Sequence, residues 1–158
     1  MVVMITGAAS AAAFRINRIL GFDEVIFADH LDLPLSVFKE TRFLKISEGN
    51  SSAFAHQLLK ICLDNHIEMV FPLRRAELKA LAEARILFEE YGIKLIVPDS
   101  TGLDQIPISN SAEKDFMILS EGMILGGQFM ELTHLPGNTG IFTIDNEDPS
   151  STSLFAID

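Results

Sequence analysis

The sequence has one cysteine, one tyrosine and no tryptophan among its 158 residues. A single cysteine cannot form an intramolecular disulfide, so a disulfide framework is excluded and Cys62 fits a reducing compartment. We therefore expect a cytoplasmic protein. No apolar run reaches the ~18 residues that suggest a membrane span, and the apolar segment 1–14 lacks the basic flank of a signal peptide.

Basic residues are also scarce, above all after residue 100. The net charge is −10, and residues 101–158 contain nine aspartates and glutamates but, among lysines and arginines, only Lys114. The phosphates of nucleic acids and anionic membranes would be repelled by this region, and no basic patch elsewhere compensates. We predict that neither nucleic acid nor a membrane is a partner.

Short apolar runs alternate with amphipathic stretches through the first hundred residues, which is typical of βαβ units in an α/β fold. The predicted strands are 2–6, 24–28, 42–46, 68–72 and 93–97, and the predicted helices are 10–20, 51–65 (capped by Asn50 or Ser51) and 76–91. Right-handed crossovers favour a Rossmann-like, five-stranded parallel sheet in the order 3-2-1-4-5. Its ligand crevice is expected at the carboxyl ends of the first and fourth strands, where the strand order reverses.

The pattern changes near residue 108, so we predict a Rossmann-like domain over residues 1–108 and an appendage over residues 109–158. Residues 110–113 resemble a capping box that would begin a helix ending at Glu121. Residues 128–135 and 140–146 alternate apolar and polar side chains around a turn at 136–139, and 153–157 could add a third strand. The prediction is therefore a linking helix followed by a small antiparallel β appendage.

The aromatic side chains of this appendage need a covering surface, because an isolated hairpin is marginally stable in water. They are Phe129, Phe142 and Phe155. The main domain or a second copy of the chain could cover them. We predict self-association, and a homodimer is the partner state that this pattern favours.

The residues Gly7, Ala8, Ala9 and Ser10 form a tight turn between the first strand and the first helix. Backbone N–H groups at a helix start suit an anion such as phosphate or carboxylate. Any Rossmann-like fold needs such a turn, however, with or without a ligand. Ala9 and Ala12 replace the second and third glycines of the dinucleotide fingerprint. We therefore predict no nucleotide cofactor.

Charged residues follow the second and fourth predicted strands. Asp29 stands where such folds often hold a ribose hydroxyl, although an aspartate there also simply favours a turn. Arg74 and Arg75 could hold a carboxylate or phosphate, or they could be a solvated helix entry offset by Glu77. We predict that Asp29, Arg74 and Glu77 line a site for a small anionic molecule together with the turn. The histidines and Cys62 show no metal-ligand spacing, and no catalytic nucleophile is predicted.

Three segments carry a family resemblance: residues 5–10 (ITGAAS), 70–78 (VFPLRRAEL) and 92–100 (GIKLIVPDS). In this order they resemble the amino-terminal pre-ATP-grasp domain of ATP-grasp ligases, of the type found in carbamoyl-phosphate synthase large subunits. Residues 115–124 match the end of that family's linking helix more weakly. The resemblance implies a module that contributes one wall of an acceptor-substrate site.

Departures from the family pattern concern catalysis. The family's linking helix begins with Asp-Lys, whereas this chain has Lys114-Asp115. The family's catalytic domain clamps ATP with lysines and holds Mg²⁺ with acidic and amide side chains, and Lys114 is the single lysine after residue 100. We therefore predict an accessory domain that is not catalytic alone and binds a small carboxylate. The alternatives are one half of a split or truncated ATP-grasp carboxylate–amine ligase with a separate ATP-grasp chain, and a structural dimerisation module without a ligand.

Overall fold

The computed structural model describes residues 1–34, 36, 41–128, 139–145, 147–148 and 151–158. They form two five-stranded sheets with four helices in the described part of the chain. The elements are β1 (Val2–Ile5), α1 (Ala11–Leu20), β2 (Glu24–Asp29), β3 (Arg42–Lys45), α2 (Phe54–Asp64), β4 (Ile67–Phe71), α3 (Arg75–Glu90), β5 (Lys94–Leu95), α4 (Ser100–Gln105), β6 (Ile108–Ser109), β7 (Asp115–Ser120), β8 (Met123–Gly127), β9 (Gly140–Ile144) and β10 (Ser153–Phe155). Within the described ranges, no helix is both long and apolar enough to cross a membrane.

The first sheet confirms the predicted topology. Its order is β3-β2-β1-β4-β5, and every neighbouring pair is parallel. Most side chains of β1 and β4 are fully buried, as expected for central strands with helices on both faces. β5 is shorter than the predicted strand 93–97.

The predicted first helix is confirmed, and the predicted cap of the second is wrong. Ser10 is the N-cap of α1, and its hydroxyl accepts from the Ala12 N–H at 3.0 Å. α2 begins later than predicted, after Ala53, which makes no side-chain capping bond. The Ser51 hydroxyl instead accepts from the Ala53 N–H at 3.4 Å and shapes the turn before the helix.

The predicted linking helix is wrong, because its apolar residues form strand β7. The four central residues of β7, Phe116 to Leu119, are all buried. A surface helix buries one stripe of side chains, whereas a strand covered on both faces buries every residue. Glu121 and Gly122 follow with positive φ angles of 51° and 78°, which suits a two-residue hairpin turn into β8.

The second sheet has the order β6-β10-β9-β7-β8 and is mixed. β7, β8, β9 and β10 pair antiparallel, as predicted for the appendage, while β10 pairs parallel with β6. β9 and β10 fall within the predicted strands 140–146 and 153–157. The first predicted strand of the appendage, 128–135, lies outside the described residues except for Gln128.

The two sheets share their apolar cores. Phe116, Ile118 and Phe155 belong to one cluster with Val3 and Ile5 of β1. Residues of the opposite face of the second sheet join a second cluster with the first sheet and α3; these are Met117, Leu119, Phe142, Ile144 and Leu154. Phe142 and Phe155 are therefore covered by their own chain, and Phe129 lies outside the described residues.

Candidate functional site

The carboxyl ends of β1, β2 and β4 meet at one edge of the first sheet, which we call the switch-point edge. It carries the turn after β1, Asp29 at the end of β2, and the Leu73–Arg74 junction before α3. The parallel order places β1 between β2 and β4, so the chain brings these distant segments together. The residues predicted to form a site therefore do lie near one another.

Asp29 is fully buried at this edge and forms a bidentate ion pair with Arg74. Arg74 Nε donates to Asp29 Oδ1 at 3.0 Å, and Nη2 donates to Oδ2 at 2.9 Å. The N–H groups of Ala9 and Leu31 donate to the same carboxylate at 2.9 and 3.3 Å. Burial alone would raise the pKa of Asp29, but these hydrogen bonds outweigh it and hold the pKa below its ordinary value of 3.8. Asp29 is thus an internal anion in the position where a ligand anion was expected.

Three N–H groups of the turn donate hydrogen bonds within the protein. Ala8 donates to the Ala28 carbonyl at 3.2 Å, Ala9 donates to Asp29, and Ser10 donates to the Gly7 carbonyl at 2.9 Å. The Ser10 hydroxyl caps α1. The turn therefore serves to position Asp29 and to start α1.

Glu77 is 1% exposed, so of the two interpretations that the sequence left open for it, the solvated helix entry is wrong. Its carboxyl accepts a hydrogen bond from the Thr6 hydroxyl, and that hydroxyl accepts from the Leu73 N–H at 2.9 Å. Burial raises the pKa of Glu77 to about 7, against the opposing effects of Thr6 and Arg74. Thr6 was missed as a member of this network; a polar residue directly after a buried strand was the available signal.

Arg74 has one further nitrogen, Nη1, besides the two that donate to Asp29. Its Nη1 donates to the main-chain oxygen of Asp158, and the residue is 8% exposed. The next residue, Arg75, is exposed and lines a cleft of about 310 Å³ with Ser109, Asn110 and Asp158. Arg75 is therefore the accessible cation of the pair.

The segment 156–158 crosses the switch-point edge, and no sequence signal pointed to it. The Ile157 N–H donates to the Leu73 carbonyl at 2.7 Å, and the Arg75 N–H donates to the Ile157 carbonyl at 2.8 Å. Gly7 has a φ of +66°, and a Cβ there would lie 3.0 Å from Ile157 Cδ1. Ile157 and Leu73 therefore pack against the turn where only a glycine leaves space.

His30 lies beside the ion pair, at the edge of the site. Its Nδ1 is 3.3 Å from Asp29 Oδ1, and its Nε2 is 3.8 Å from Glu48 Oε1. Across the part of the chain that the structure describes, no group of three or more histidine, cysteine, aspartate or glutamate side chains is arranged to hold a metal ion. The chemistry of the edge is that of a fixed guanidinium and buried carboxyls.

Comparison with known proteins agrees with this architecture. Residues 11–96, which run from α1 past β5, match the family model described as the PylC-like, N-terminal domain. No curated protein matches the chain. The match supports an amino-terminal domain of the pre-ATP-grasp type, and the carbamoyl-phosphate synthase type is not confirmed. Since the matched residues make up more than half of the chain, this protein belongs to the family of PylC-like N-terminal domains.

Proposed function

We propose that this chain is the non-catalytic substrate-binding module of a ligase, and that it binds a small carboxylate at the switch-point edge. The family supports a pre-ATP-grasp module. The observation that carries the proposal is that the three nitrogens of the Arg74 guanidinium have different partners. Asp29 accepts from Nε and Nη2, which leaves Nη1 to donate to the main-chain oxygen of Asp158.

A guanidinium held in this way is pre-organised for an anion. A charged hydrogen bond to a carboxylate is shorter and stronger than a neutral one. Little side-chain entropy is lost on binding, because Asp29 already orients the guanidinium of Arg74. The amino end of α3, beside Arg74, adds the positive end of a helix dipole. The Arg75 N–H at that end and Arg74 Nη1 are two donors that the two oxygens of a carboxylate can share.

Calorimetric titration of the chain with succinate tests this proposal. Arg74→Lys keeps a cation beside Asp29 but removes the Nη1 donor that is proposed to bind the carboxylate. We expect succinate affinity to fall by roughly 10- to 100-fold, which corresponds to the loss of one charged hydrogen bond. Arg85→Lys is the matched control, because Arg85 lies on the outer face of α3 and pairs with Glu89; its affinity should equal that of the unaltered chain. Equal affinities in Arg74→Lys and Arg85→Lys would refute the proposed site.

Catalysis, on this proposal, belongs to an ATP-grasp domain outside residues 1–158, in the same or a separate polypeptide. The charge of the second half supports this assignment, since residues 101–158 offer one lysine against nine acids, and ATP phosphates need cations. Cys62 is buried and free, which supports our placement of the module in a reducing, cytoplasmic compartment.

A second proposal is self-association through strand β8, which would make the chain a dimerisation module. Among the described residues, β8 is an edge strand of the second sheet, and its Met123 and Ile124 are exposed. Exposed apolar edge strands invite pairing. The acidic surface opposes the approach of two copies, so association should strengthen as salt screens it. Sedimentation at low and high salt tests this, with Ile124→Lys expected to remain monomeric and Ile86→Lys as the control on α3. A monomer under all conditions would exclude dimerisation.

A further inference from the structure

Residues 157 and 158, here called the strap, lie at the switch-point edge, where the chain changes its partner sheet. The Leu154 and Ala156 N–H groups donate to the carbonyls of Pro107 and Ser109, at 2.8 and 3.0 Å, so this part of the chain pairs with β6. One residue later, the Ile157 N–H donates to the carbonyl of Leu73, two residues past the end of β4. The strap therefore leaves the second sheet and lies on the first.

The strap places two oxygens on the two donors of the proposed carboxylate site. The Ile157 carbonyl accepts from the Arg75 N–H at 2.8 Å, and the Asp158 main-chain oxygen accepts from Arg74 Nη1. These are the groups that the two oxygens of a carboxylate would occupy. The Ile157 side chain also covers Gly7, which closes the space between the turn and Leu73.

We propose that the strap competes with a carboxylate for the same two donors. A carboxylate binds by displacing the main-chain oxygens of Ile157 and Asp158 from the Arg75 N–H and from Arg74 Nη1. This inference rests on the proposed function and adds its regulation. Burial supports a separable strap, because Leu154, Phe155 and Ala156 are buried whereas Ile157 is half-buried and Asp158 is exposed. The pairing with β6 ends at Ala156, so the bonds of residues 157 and 158 to the edge can break while β10 stays paired with β6.

Amide hydrogen exchange of the full chain, read residue by residue with and without succinate, tests the displacement directly. Succinate should accelerate exchange of the Ile157 N–H, which loses its bond to Leu73. Exchange at Leu154 and Ala156, whose partners belong to β6, should not change. If saturating succinate leaves Ile157 as protected as before, the ligand does not displace the strap and this inference is wrong, while the proposed function stands.

A substitution in the strap provides a second test of the displacement. Ile157→Ser removes the side chain that packs on Gly7, so the strap competes less well and the apparent affinity for succinate should rise by roughly tenfold. Ile86→Ser is the control, because Ile86 is 73% exposed on α3, and it should bind like the unaltered chain. An Ile157→Ser affinity equal to the control overturns the strap as a competitor. Failure of succinate to bind every variant, Ile157→Ser included, overturns the proposed function and the inference with it.

Discussion

The two sheets of this chain handle buried polar groups in opposite ways. The first sheet buries ionisable side chains at its switch-point edge: Asp29, Arg74 and Glu77. The second sheet buries hydroxyls, those of Ser120, Thr139 and Thr143, and its ion pairs, such as Lys114–Asp145, lie where the side chains are about one-third exposed. Buried charges are expensive unless they are paired, and the first sheet pairs Asp29 with Arg74 at this edge.

The comparison also separates two kinds of strand. β1 and β4 are central in a parallel sheet and end at a polar network, whereas β7 and β9 are central in a mixed sheet and bury apolar residues on both faces. The second sheet therefore acts as a cover for the first, and the strap is the point at which this cover touches the polar edge. Four experiments sharpen the contrast.

Breaking the buried ion pair should give the largest effect. Asp29→Ala leaves Arg74 as an uncompensated buried charge, and we expect unfolding to become easier by about 3–5 kcal/mol. The contrasting variant in the second sheet is Thr143→Val, whose hydroxyl makes one 3.4 Å hydrogen bond to Ser153; it should cost about 1 kcal/mol. Chemical denaturation measures both. Equal losses in the two variants would erase the distinction between the sheets.

Glu77 should make stability depend on pH. Its folded pKa of about 7 lies above its ordinary value of 4.5, so its contribution is fully present below pH 4.5 and is lost as the pH rises through 7. The loss attributable to Glu77 is on the order of 3 kcal/mol. Glu77→Gln resembles the protonated form, so its stability should be nearly flat between pH 5 and 8. Parallel pH profiles for Glu77→Gln and the unaltered chain would show that Glu77 does not titrate in this window.

The contact between α1 and β7 should give a smaller effect. The Arg15 guanidinium lies 4.7 Å from the centre of the Phe116 ring, donates to the Ala112 carbonyl, and is 3.8 Å from Asp115. Since the side chain is about one-third exposed, Arg15→Gln should destabilise the fold by about 1 kcal/mol. Arg18→Gln, on the exposed side of the same helix, is the control and should change stability by less than about 0.5 kcal/mol. If Arg18→Gln lowers the free energy of unfolding as much as Arg15→Gln does, the contacts of Arg15 with the second sheet do not stabilise the fold.

ATP with Mg²⁺ should leave the melting temperature of the chain unchanged, which is the smallest effect in this series. A tight complex at a hundredfold excess over its dissociation constant would stabilise the chain by ~2.7 kcal/mol and raise the melting temperature by several degrees. We expect no rise and no phosphate release above background, because the acidic second half offers no cluster of lysines for the phosphates. A clear rise in melting temperature would contradict the assignment of ATP chemistry to another domain.

The sequence by itself determined the first sheet and the convergence of its site residues. Short apolar runs separated by amphipathic helices leave few right-handed topologies, and the resulting order brings Asp29 to Arg74 across 45 residues of chain. The second sheet was only partly predictable. A run such as Phe116 to Leu119 is compatible with a helix or a strand, and periodicity alone does not distinguish them when every residue is apolar.

Tertiary structure alone decided which partners the polar groups found. Arg74 could have met a ligand, solvent or a carboxylate of the chain, and the β2–β1–β4 register brought it to Asp29. Glu77 is buried because the fold closes over the first turn of α3, and the strap reaches the edge because β10 pairs with β6 and then continues to Leu73. Local sequence specifies periodicity and turns. The pairing of a buried charge depends on which distant segments the completed core holds within hydrogen-bonding distance.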